Sequence, residues 1–391
     1  MKKWILTGLA LAFVALVIVA IRFFTVTPGR IENSQNRVVP VPLEITPAAQ
    51  ELQATLDVAD LHADSLLWKR DLLERSDRGH VDLPRLIEGH YALQVFSSVT
   101  KSPKGQNYDS NGADSDTITS LAIIDLQPPR TWRSLLQRSL WHAEKLRGFA
   151  ENSGGRLRLI RTPSDIDRLL ADRKGGMQVV GGMLSIEGLH DLEGDIANLD
   201  VLHAAGFRMA GLAHFFDNDV TGSMHGREKG GLTPLGRQAV LRMESLGMIV
   251  DVAHASHAAI ADVLAMAKRP VVSSHGGVQA TCKVNRNLTD DEIRGIARTG
   301  GVIGIGYWSG AICSTHPRDA ARAIAHVRDL VGIDHVGLGS DFDGATTTAF
   351  DASQIAAVTQ ALLDGGFSPA DIRKVMGGNV LRMLRAGIAP S

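Results

Sequence analysis

Eight short apolar segments recur between residues 57 and 342, bounded by glycine or polar residues and mostly separated by stretches with helical patterning. They run Asp57–Asp64, Ala92–Val99, Gly182–Gly188, Arg208–Phe215, Met248–His254, Pro270–His275, Gly301–Trp308 and His335–Phe342. Several are rich in valine and isoleucine and almost free of charge until their last residues, as parallel strands buried on both faces require. Between them Ser134–Ala150, Pro234–Leu246, Ala258–Ala267, Asp290–Thr299 and Arg318–Val331 read as helices. Asp290 and Asp291 fall at a helix start, where acidic groups complement the dipole. Eight strands alternating with helices predict an α/β fold, a (β/α)8 TIM-type barrel. An open doubly wound sheet competes with it, because periodicity does not say whether a sheet closes.

The ends of these segments carry ligand-type side chains. In VADLHAD, His62 and Asp64 are two residues apart, so on a strand they share a face. Glu187 in SIEG, His214 in GLAHF, His254 in DVAHAS, His275 in SSHGG and Asp341 in GSDFDG close other segments. In a parallel barrel all these ends meet at one face, the usual place for catalysis. Imidazole nitrogens and carboxylate oxygens suit zinc, with manganese or cobalt as alternatives. His62, Asp64, His254 and His275 supply two terminal ligands for each of two ions, and Glu187 can place one oxygen on each. A binuclear site with a bridging hydroxide follows.

Forty-one basic against 42 acidic residues and a net charge of −1 give no polycationic surface, so nucleic acid is not an expected partner. Lys2 and Lys3 precede an uncharged run from Trp4 to Ile21, long enough to cross a hydrocarbon core as a helix of about 18 residues. Ile18-Val19-Ala20 fits a signal-peptidase site poorly, so an uncleaved anchor is expected over 1–24, with a secreted product as the alternative. Charge asymmetry places the N-terminus in the cytoplasm and the catalytic portion outside, on the periplasmic side of a bacterium. Residues 25–47, with four prolines, read as a tether, and 48–391 as the barrel domain. In such a compartment Cys282 and Cys313 could pair. The polar stretch Lys101–Gly112 reads as a rim or lid, or as a solvated insertion.

HAD at 62–64, SIEG at 185–188, GLAH at 211–214, DVAH at 251–254, SSH at 273–275, NRNLTDDEI at 285–293, GSDFDG at 339–344 and GGNVLRML at 377–384 occur together in one order. In this the chain resembles the membrane (renal-type) dipeptidase family of the metal-dependent amidohydrolase superfamily. The resemblance implies hydrolysis of dipeptides, with a D-residue tolerated at the second position. It implies that His62 and Asp64 bind one zinc, His254 and His275 the other, and that Glu187 bridges them. It further assigns proton handling to Asp341, the substrate carbonyl or oxyanion to His214, and the substrate's terminal carboxylate to Arg286. Animal members carry a C-terminal lipid anchor, whereas this chain ends RAGIAPS, so a different anchor is expected.

Other readings of the same residues stay open. Asp343 could replace Asp341, Arg286 could pair with Asp290 or Asp291, and His190, His225 and His257 fit surface or supporting positions. Two other functions compete: a binuclear hydrolase of a lactone, β-lactam or cyclic amide, and a membrane-tethered binding protein without turnover. A proton carrier at Asp341 argues against the second, and Arg286 favours a free dipeptide over the first. A homodimer is an admissible assembly.

Overall fold

The computed structural model describes residues 2–389. Eight parallel strands form its centre: β1 (Val58–Ala63), β2 (Tyr91–Val99), β3 (Val180–Glu187), β4 (Phe207–Gly211), β5 (Ile249–Asp251), β6 (Val271–Val272), β7 (Ile303–Ile305) and β8 (Val336–Leu338). They pair in the order β6-β5-β4-β3-β2-β1-β8-β7. Ser273, one residue past β6, joins the two ends of that series: its N–H donates to the Val302 carbonyl at 3.2 Å, and its carbonyl accepts from Gly304 N–H at 2.8 Å. The sheet is therefore an almost closed barrel and not an open one. Each of these eight strands lies within or overlaps one of the eight apolar segments, a short strand Leu157–Leu159 that also pairs with β3 lies outside them, and the five expected helices are present, Pro234–Leu246 with the bounds expected.

Neighbouring strand residues pack into different apolar clusters, as the two-residue period of a strand demands. Leu184, Val250, Val271 and Ile303 join helix residues such as Val240 and Ile324 in one cluster. Met183, Ile249, Val272 and Val302 join Val380 and Met383 of the C-terminal helix Asn379–Gly387 in another. Both faces of the sheet are thus buried, which is why the strand sequences lack polar alternation.

The N-terminal helix runs Lys2–Gln35. Its apolar stretch is exposed, with Trp4 84% and Leu16 67% accessible, while its last turns dock on the barrel. The expected tether, 25–47, is thus helical as far as Gln35, and Arg37–Val38 then pairs in parallel with Thr347–Thr348. Pro28 lies inside this helix and has no N–H for the Phe24 carbonyl four residues back. Lys69 Nζ donates to that carbonyl at 3.3 Å, so the barrel satisfies the group that proline leaves free. Cys282 and Cys313 form a disulfide.

Candidate active site

Every expected site residue except Arg286 comes from the carboxyl end of a strand or the residues just after it. His62 lies in β1 and Glu187 ends β3, while His214, His254, His275 and Asp341 each follow β4, β5, β6 and β8 by three residues. His254 (φ 63°) and Asp341 (φ 56°) take the left-handed conformation, which a residue with a Cβ adopts only where its surroundings hold it.

These side chains converge on Glu187. Its Oε1 lies 2.9 Å from His254 Nε2, 3.4 Å from His275 Nε2 and 3.7 Å from His62 Nε2, while its Oε2 lies 3.7 Å from His214 Nε2. Asp64 Oδ1 is 3.4 Å from His62 Nε2. Three groups of potential ligand atoms, each within 4.8 Å, overlap here: His62 with Glu187 and His275, Glu187 with His214 and His254, and His62 with Asp64 and Asp341. The two terminal pairs that the resemblance implies are also in contact, His62 Nε2 with Asp64 Oδ1 at 3.4 Å and His254 Nε2 with His275 Nε2 at 3.0 Å.

The residues fit divalent cations on two counts. Both ring nitrogens of His62, Asp64 Oδ1 and Glu187 Oε2 are buried without a hydrogen-bond partner, a costly state that coordination relieves. The electrostatics also call for positive charge. Burial, with Asp64 nearby, pushes the Glu187 carboxyl well up, and burial raises Asp341 to about 8 against the opposing pull of His62. Burial alone would depress His62, but Asp64 and Glu187 overcome it and lift the ring to about 10. Burial, then neighbouring Arg286 and histidines, holds His254 and His275 well below the ordinary imidazole range, ready to ligate as neutral rings.

Supporting contacts orient the cluster. Asp60 accepts from His62 N–H at 3.0 Å and from the Ser340 hydroxyl at 3.0 Å, tying β1 to the turn after β8. Asp251 accepts from Ser274 N–H at 2.9 Å, and the Ser274 hydroxyl meets His275 Nδ1 at 2.9 Å. Asp60, Asp251 and Ser274 were not singled out from the sequence. The available signal was a charged residue inside an otherwise apolar run, in VADLHAD and in MIVDVAH.

Asp64, Glu187, His214, His254, Arg286 and Asp341 all line one cavity of about 530 Å³. Asp343 does not line it: it accepts from the Ser65 hydroxyl at 2.5 Å and His80 N–H at 2.6 Å and pairs with Arg70. Although burial opposes it, Arg70 holds the Asp343 carboxyl below the ordinary range. Arg286 is buried, donates to the His275 carbonyl at 2.9 Å and lies 5.9 Å over Trp308. Asp290 instead meets His326 at 2.7 Å and Asp291 meets Arg294 at 3.0 Å, so neither holds Arg286. His214 Nδ1 faces the Lys101 carbonyl at 3.1 Å, which can only accept, so Nδ1 carries the proton.

The remaining histidines are supports. His190 meets Thr100 at 2.8 Å and His257 meets Glu292 at 2.6 Å. His225 stacks on Phe215, which itself lines the cavity. Ser102, Gln106 and Tyr108, from the long polar connection after β2, also line the cavity, so this segment is a rim. Tyr108 and Trp308, joined at 3.0 Å, add an aromatic wall that sequence reasoning missed.

Residues 47–388 match the family described as Membrane dipeptidase (Peptidase family M19). Dipeptidase tcpJ of Claviceps purpurea (strain 20.1) is 30% identical over 319 residues, covering 78% of this chain and 69% of that protein. Dipeptidase verJ of Clonostachys rogersoniana is 30% identical over 313 residues, covering 78% and 75%. A solved metallo peptidase from Rhodobacter sphaeroides, liganded with a phosphinate mimic of the dipeptide L-Ala-D-Ala, superposes with a TM-score of 0.68 at 25% identity, over 85% of this chain and 99% of that one. The probable dipeptidase PvdM from Pseudomonas aeruginosa superposes with a TM-score of 0.72 at 23% identity, over 87% and 97%.

Proposed function

The chain belongs to the membrane dipeptidase family, peptidase family M19, and we propose on that premise that it hydrolyses free dipeptides with two zinc ions held by His62, Asp64, Glu187, His254 and His275. As a member of that family it is a metallopeptidase that cleaves peptide bonds. The observation that carries the finer reading is Arg286: a buried guanidinium in the cavity of the metal-type donors, with no carboxylate partner among the described residues.

When bound by these five residues, two zinc ions would supply an acidified water and an electrostatic sink for the carbonyl oxygen. The chain's own residues do the rest. Arg286 offers a planar two-donor fork to the substrate's C-terminal carboxylate and so selects a free C-terminal residue over amidated or C-terminally extended chains. Asp341, which lines the cavity beside these donors, accepts the proton of the attacking water and returns it to the leaving amine as the C–N bond breaks. Burial depresses the His214 ring to about 4. With Nδ1–H committed to Lys101, neutral His214 presents a lone pair at Nε2, and it donates to an oxyanion only once protonated.

A D-residue at the C-terminal position is part of the proposal, supported by the L-Ala-D-Ala mimic in the Rhodobacter sphaeroides relative. We also propose that the exposed apolar helix anchors the enzyme in a membrane with its barrel on the exported side. The disulfide supports an oxidising compartment. Hydrolysis of L,L and L,D dipeptides by the purified full chain, alongside metal analysis, tests the reading. Turnover of both series with two zinc ions per chain is expected; faster turnover of lactones or β-lactams than of any dipeptide would displace it.

A further inference from the structure

We propose that the inner end of the N-terminal helix is a clasp on the turn that carries Asp341, with Asn36 and Glu32 acting as positioning residues. The functional part of this proposal rests on the reading of Asp341 as the proton carrier.

The turn after β8 is conformationally costly. Asp341 (φ 56°), Asp343 (φ 63°) and Ala345 (φ 58°) all adopt the left-handed region within five residues, and none is glycine. Left-handed backbone is costly for a residue with a Cβ, so the turn persists only where other groups hold it. It also packs tightly on the site. A Cβ placed on Gly344 would lie 2.0 Å from Asp341 Oδ1 and 2.9 Å from Asp64 Oδ2, so a shift of the backbone at 344–345 is felt directly by both carboxylates.

Half of the grip on this turn comes from the barrel: Ser65 and His80 hold the Asp343 carboxylate, and Trp68 Nε1 donates to the Asp343 carbonyl at 2.7 Å. The other half comes from the N-terminal segment. Asn36 Oδ1 accepts from Ala345 N–H at 2.8 Å, and Val39 N–H donates to the Thr348 carbonyl at 2.8 Å. Glu32 acts one step further back. Its carboxylate lies 2.6 Å from Arg70 and 2.8 Å from Arg78, and Arg70 grips Asp343 with its other end. Glu32 and Asn36 are 1% and 2% exposed, although they sit at the end of a helix whose outer stretch is exposed. Burying a carboxylate and an amide there is costly unless their partners repay it in hydrogen bonds and charge. Both residues lie outside the family-matched region, which begins at 47, so this clasp is supplied by a part of the chain that the family resemblance does not account for.

The test uses the full chain in detergent, metal-loaded, with Asn36→Leu, which removes the acceptor, and Glu32→Gln, which keeps the shape and removes the charge. Hydrogen exchange over 341–348 should accelerate in both. The kcat on a dipeptide should fall about tenfold or more, as misplacement of a reacting group predicts, while KM stays within about twofold because Arg286 is untouched. A merely structural role would lower the melting temperature and leave kcat per folded, metal-loaded molecule unchanged, and that result overturns the proposal, as does unchanged exchange in the turn. Glu32→Gln carries the test if Asn36→Leu does not fold. Absence of dipeptide turnover in the unaltered chain counts against the functional reading alone, and the exchange comparison still decides the clasp.

Discussion

Asp341 and Arg286 face one cavity and are expected to fail in different ways. Asp341→Asn leaves the carboxylate fork intact and removes the proton carrier, so KM for a dipeptide should hold while kcat falls roughly 10²- to 10⁴-fold in a steady-state assay. Arg286→Ala should depress kcat/KM on free dipeptides far more than on C-terminally amidated analogues. Equal losses on both substrates, in a folded and metal-loaded variant, would remove the carboxylate role. Glu187 sits between His254 at 2.9 Å and His214 at 3.7 Å on its two oxygens. A neutral amide there should weaken both metal positions together, so Glu187→Gln is expected to lose both ions on dialysis, and retention of two would contradict a bridging role. At this scale the ligand-type residues were legible because they interrupt apolar runs at strand ends. Which of Asp341 and Asp343 faces the cavity was not, since Asp343 is held away by Ser65, Arg70 and His80, remote in sequence.

The strands were legible for a physical reason: burial on both faces leaves little room for polar residues, and eight such runs stand out against amphipathic helices. Closure was not legible, because the seam is made by the backbone of Ser273, whose side chain carries no signal of it. Nor was the continuation of the first helix past Thr25. Pro28 argues for a break, and only Lys69, from a distant loop, answers the carbonyl it leaves free. Where β2 packs on the helix Leu135–Asn152, His142 is buried with Nδ1 2.8 Å from the Ser98 hydroxyl, and burial, then Lys145 and Arg138, depresses it to about 3. The unfolded chain takes up this proton near pH 6.5, the folded one far lower, so the contribution is complete above pH 6.5 and is lost as pH falls toward 3, at up to about 1.4 kcal/mol per pH unit. Melting temperatures of the unaltered chain and His142→Gln should therefore differ most at pH 7.5 and converge by pH 4.5. A constant gap would show that the ring does not titrate on unfolding.

For the molecule as a whole, the exposed run from Trp4 to Ile21 predicts recovery in the membrane fraction, with release requiring detergent. A soluble mature protein beginning near Ile21 would instead establish a cleaved signal. Either product keeps Arg22–Gln35, the part of the helix that meets the barrel. In the anchored form this fixes a distance. Fourteen helical residues from Arg22 to Gln35 rise at most about 21 Å, and Gln35 itself is part of the cavity wall. An anchored chain would therefore hold its cavity wall near the lipid headgroups, at a height that a helix sets and a flexible linker would not. A dipeptide would reach a site in that position more readily than a folded domain of 100 residues, which is about 26 Å across on twice its radius of gyration alone.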